Sequence, residues 1–135
     1  MIKQQSLAAY DPRVIEGTGV TMMTTAQGAD HTAGALLMLD TKNMSTAEVV
    51  AASLEIQASW AAVDSLGLCI FGRAVTAAST ELLATALNDA HGTHLDASFM
   101  RKLGIEALKM EWEFNRAAGF TEKDDELPEL SLIHI

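Results

Sequence analysis

Residues 45–69 read STAEVVAASLEIQASWAAVDSLGLC, and this stretch decides the fold. Ser45-Thr46-Ala47-Glu48 has the form of a capping box, in which a hydroxyl and a carboxylate satisfy the free N–H groups that open a helix. Val49, Ala52, Ile56, Trp60 and Val63 then recur every three or four residues, the spacing of one helix face. The helix is predicted to reach about Asp64. Leu66 to Phe71 follows as an apolar run broken by Gly67, a residue free to take positive φ at a helix end.

Working outward, Asp11-Pro12 pairs an N-cap residue with proline at the first helical position, predicting a helix over 12–25. Gly17 and Gly19 weaken that helix and imply that something approaches it closely. Residues 27–34 form a glycine-bounded loop. On the other side, Ser79 opens a helix over 79–90, and His91 to His94 is a turn. Asp96 opens a last helix over 96–118, closed by Gly119, with Phe99, Leu103, Ala107, Met110 and Phe114 toward the core. The expectation is one all-α domain over 1–135, an irregular bundle of four to five helices, ending in an acidic tail over 121–135.

Composition agrees. The chain is 49% hydrophobic but only 5% aromatic, and its seven methionines and many alanines favour helix over strand. A net charge of −9 excludes nucleic acid and anionic membrane surfaces as partners, because both would be repelled. Mean hydropathy is +0.16, and no apolar run reaches the length of a membrane span. The single cysteine, Cys69, cannot form an intramolecular disulfide and fits a reducing, cytoplasmic setting.

Asp64 to Cys69 is the stretch richest in chemistry. Cys69 is either a small core residue or a metal ligand, and a lone thiolate needs partners from elsewhere to hold a metal. Tyr10 is either a residue packing on the first helical turn or a phenolic donor, and His31 either a hydrogen-bonded loop histidine or a proton carrier. His91, His94 and His134 lack neighbouring carboxylates at ligand spacing and read as solvated.

Asp64-Ser65-Leu66-Gly67-Leu68-Cys69 is similar to the Asp-x-x-Gly-Leu-Cys pterin-binding motif of the tungsten-containing aldehyde ferredoxin oxidoreductases. Three further stretches resemble that family, in the same order. They are Tyr10-Asp11-Pro12-Arg13 with Gly17-Thr18-Gly19, the loop Gly28 to Gly34 around His31, and Glu113-Phe114-Asn115-Arg116 with its continuation to Pro128. The resemblance covers about Ala9 to Glu129, the C-terminal region of such an enzyme. It implies Asp64, Gly67 and Leu68 at the pterin, Cys69 as one ligand of a [4Fe–4S] cluster, and Tyr10 and His31 on the substrate. It also implies a tungsten–bis-pterin cofactor, ferredoxin as electron acceptor, an aldehyde substrate, and an N-terminal cofactor domain supplying the remaining cluster cysteines. The chain alone is then expected to be inactive and free of cofactor. Leu66, Leu68, Ile70 and Phe71, with Met22 and Met23, would form a bare apolar face that drives homo-oligomerisation. The competing expectation is a non-enzymatic helical module that keeps this fold without cofactor.

Overall fold

The computed structural model describes residues 1–76 and 78–129. Among them are five α-helices: α1 (Glu16–Thr24), α2 (Thr46–Ser65), α3 (Arg73–Thr76), α4 (Thr80–His91) and α5 (Phe99–Ala117). Short 3₁₀ turns occupy His31–Ala33, Ile70–Gly72 and Glu122–Asp125. Pairing of the β type is limited, among the described residues, to one isolated bridge between Ile2 and Gln5. The expected all-α fold is the fold observed.

The capping box of α2 forms as its sequence predicts. Ser45 Oγ accepts from Glu48 N at 3.3 Å, and Glu48 accepts from Ser45 N at 2.7 Å. Helix α1 starts later than Asp11-Pro12 suggests. The Asp11 carboxylate accepts from Arg13 N at 2.9 Å and also holds the Arg13 guanidinium, while the Asp11 carbonyl accepts from both Val14 and Ile15. A side chain bonded to its own neighbouring backbone competes with the helix, so residues 11–15 close as a turn and α1 begins at Glu16. The same competition delays α5, because Asp96 accepts from Ser98 N at 2.8 Å and the helix opens at Phe99.

The largest interface joins α2 to α5. Its centre is Gly104: a Cβ there would lie 1.8 Å from the Ala58 carbonyl oxygen, so only glycine lets the backbones meet. The face that α5 buries differs from the expected one. Phe99 and Met100 are buried with Ala62, Val63 and Ala84, whereas Met110 and Phe114, expected in the core, are 62% and 72% exposed. Gly17 and Gly19 do permit close approach, by Leu36 and by Pro12 respectively.

A second cluster joins Ile2, Met22, Ala29 and Leu127. Met22 is therefore core and not part of a bare face, and Leu66 and Leu68 pack against the first cluster. Phe71 does stand clear, at 94% exposure. Ile2 and Gln5 exchange both backbone bonds at 3.0 Å around Lys3 and Gln4, which both have positive φ. This turn aims the Lys3 ammonium inward, where it donates to the Thr25 carbonyl at 2.9 Å, pairs with Asp125 and lies 5.0 Å from the Trp112 ring. Lys3 N also donates to the Asp124 carbonyl. The first part of the acidic tail is thus packed against the start of the chain and is not simply solvated. Its last residues, from 130, lie outside the described ones.

Candidate functional site

The last turn of α2 positions Asp64 and Cys69. Gly67, at φ +65, donates its N–H to the Asp64 carbonyl at 2.9 Å, and Leu68 donates to the Val63 carbonyl at 3.0 Å. These paired bonds are a Schellman close, which uses up carbonyls a helix end otherwise leaves free. A Cβ at Gly67 would meet nothing within 4 Å, so glycine is required there by its backbone angle and not by space. The N–H groups of Gly67 and Leu68 are committed to the helix end. What the turn presents outward is the Asp64 carboxylate and the Cys69 thiol, both on exposed residues.

The loop around His31 is fixed at both ends. Asp30 Oδ1 accepts from Thr32 N at 2.7 Å and so caps the His31–Ala33 turn. Gly34, at φ +113, returns the chain against α2, where a Cβ would come within 3.0 Å of the Gln57 backbone. Tyr10, from the far side of α1, stands beside this loop. Its ring centroid is 5.5 Å from that of His31, with the planes tilted by 48°. His31 Nδ1 is 3.7 Å from Asp30 Oδ1. Two groups that can donate to a carbonyl oxygen therefore form one exposed pair.

Around Glu111 the remaining segments converge. Asn115 Nδ2 donates to the Ala26 carbonyl at 2.7 Å, tying α5 to the start of the His31 loop. Burial and then the like charge of Asp64 push the Glu111 carboxyl above its ordinary value, while the neighbouring Gln27 amide draws it down. Glu111 Oε2 is buried without a hydrogen-bond partner among the described residues. A groove of ≈ 370 Å³ opens here, lined by Gln27, Met110, Glu111, Phe114 and Asn115 among others. Sequence reasoning missed Glu111. A carboxylate beside Trp112 in a helix looks like any solvated residue until Asp64 and Gln27 are placed next to it.

His91 ends α4 and His94 follows in an exposed turn, while His134 lies outside the described residues. Among the described residues no cluster of three or more His, Cys, Asp or Glu side chains is arranged to hold a metal ion. No helix among the described residues is long and apolar enough to cross a membrane.

The fold and site define a class of protein: a helical unit that carries polar groups on exposed turns, the Asp64–Cys69 turn and the Tyr10–His31 pair. The comparison with known families makes the class particular. The family model described as aldehyde ferredoxin oxidoreductase, domains 2 & 3, matches residues 1–133, and the chain belongs to that family. No curated protein and no solved structure matches the chain.

Proposed function

We propose that the chain is the C-terminal portion of an enzyme that oxidises an aldehyde to a carboxylic acid and passes the electrons to ferredoxin. The observation that carries this reading is the Tyr10–His31 ring pair, in a chain of this family. In this reading the Tyr10 hydroxyl and the His31 imidazole hold the aldehyde oxygen as donors, and His31, beside Asp30, takes up or returns a proton.

The residues fit a pterin. Its pyrimidinone edge presents N–H donors, and the chain offers acceptors at the exposed Asp64 carboxylate and at the unpartnered Glu111 oxygen. Gly67 and Leu68 serve by shaping the turn that holds Asp64. A [4Fe–4S] cluster takes four thiolates, and the sequence holds one cysteine. Cys69 would therefore be a single corner of it, with the other three supplied by the N-terminal domain. When bound, a tungsten–bis-pterin centre with its cluster supplies the two-electron oxidation and the onward transfer of single electrons. The chain's own part is to position, to polarise and to carry a proton. Alone it is inactive, it self-associates through the face around Phe71, and it works in the cytoplasm.

The test is co-expression with an N-terminal cofactor domain of the family. The expected result is a complex containing tungsten and iron, and a homo-oligomer without tungsten when this chain is purified alone. Failure to form a complex, or tungsten with four irons bound to this chain alone, would overturn the reading.

A further inference from the structure

A groove of ≈ 470 Å³ lies between α2 and α5 and has no part in the site above. Gln57 lines it and is only 1% exposed. Its Nε2 donates to Thr24 Oγ1 and to Ser53 Oγ, both at 2.9 Å. The protons on those hydroxyls fix which way the amide faces. Thr24 gives its proton to the Val20 carbonyl, Thr21 gives its own to the Gly17 carbonyl, and Ser53 is left to donate to Thr21 Oγ1. Ser53 and Thr24 can then only accept from Gln57, so the nitrogen must face α1. Gln57 Oε1 is left on the opposite side, and it has no donor among the described residues.

A buried carbonyl without a donor is desolvated and uncompensated, so a group that supplies one is favoured there. The rest of the groove says what else that group carries. Leu54, Ile105, Leu108 and Trp112 provide an apolar wall. Arg101 is engaged by Glu55, and Lys109 by Glu106, with Glu113 acting on the same ammonium. Arg116, also lining the groove, makes no ion pair among the described residues. On a chain of net charge −9, an unpaired cation beside an apolar wall selects an anion with an apolar body.

We infer that the α2–α5 groove is a binding site for a small amphipathic organic acid, whose N–H or O–H donates to Gln57 Oε1 and whose carboxylate pairs with Arg116. Leu54, 45% exposed, lines the groove together with Gln57, whose oxygen a donor reaches once a side chain of the wall moves aside. The site is independent of the oxidoreductase reading, since it uses none of Tyr10, His31, Asp64 or Cys69.

Indole-3-acetate carries the three features, and 1-methylindole-3-acetate has a methyl group in place of the N–H hydrogen. Calorimetry on the wild-type chain should show the parent binding about tenfold more tightly than the methylated ligand. That ratio should collapse to one in Gln57→Leu, and Arg116→Ala should weaken both ligands equally. Amide shifts in nuclear magnetic resonance should map to residues 105–116. The comparison of two ligands on the unaltered chain holds even where Gln57→Leu does not fold. Equal affinity of the two ligands, no binding of the parent at millimolar concentration, or shifts that map elsewhere would each overturn the assignment.

Discussion

Helix α2 meets its two neighbours in opposite ways. Toward α1 it buries a chain of hydroxyls and an amide, Thr21, Ser53, Thr24 and Gln57, in which each proton has an assigned acceptor. Toward α5 it presents bare backbone, with Ala58 against Gly104. A backbone contact sets how far apart two helices stand but is nearly indifferent to their rotation. A hydrogen-bond chain does the reverse, because one donor out of place leaves a buried partner unmatched. Together the two contacts fix α2 in distance and in register. The polar side also shows where the matching stops: Gln57 Oε1 and Thr18 Oγ1 are left over.

The distance-setting contact should be the more costly to break. Gly104→Ala places a methyl 1.8 Å from one backbone atom and 2.6 Å from the next, neither of which can swing aside. The helices must part, with an expected loss of about 3 kcal/mol in urea unfolding. A loss under about 1 kcal/mol would mean that the separation is set elsewhere. Ser53→Ala removes one link of the polar chain while Gln57 keeps Thr24 and Thr21 keeps the Gly17 carbonyl. The expected loss is about 1–2 kcal/mol. The two variants share the helix but not the contact, so the double variant should be additive within about 0.5 kcal/mol. Stronger coupling would show that distance and register are not separately encoded.

The smallest effect is electrostatic and depends on pH. Burial and Asp64 raise the Glu111 carboxyl above its ordinary value of 4.5. A raised carboxyl pKa means that the folded chain holds the proton more tightly than the unfolded one. Its favourable contribution is complete below pH 4.5 and is lost as pH rises through the folded value. Glu111→Gln should therefore match the wild type in acid and gain on it progressively as pH rises. Parallel stability curves from pH 4 upward would show that burial and Asp64 do not raise the Glu111 carboxyl.

The elements with complete local signals were legible from sequence. Helix α2 carries its own capping box and glycine close, and both appear as read. The start of α1 was hidden because the Asp11 side chain serves a turn as readily as a helix, and Arg13 decides between them. The buried face of α5 was hidden for a different reason. Apolar spacing marks bulky residues, whereas this interface is built on the absence of a side chain at Gly104, leaving Met110 and Phe114 outside. At the site, Tyr10, His31 and the Asp64 turn were visible as motifs in order, and the contact between the first two needed the fold. Glu111 had no motif, because its character comes first from burial in the fold and then from Asp64, far away in sequence.

The exposed Cys69 thiol has a consequence in covalent terms. With one sulfhydryl per chain, air oxidation can join each molecule to one other and no further, so the product is a disulfide-linked pair and never a ladder. Such a pair vanishes with reductant, whereas an assembly held by the apolar surface around Phe71 survives it.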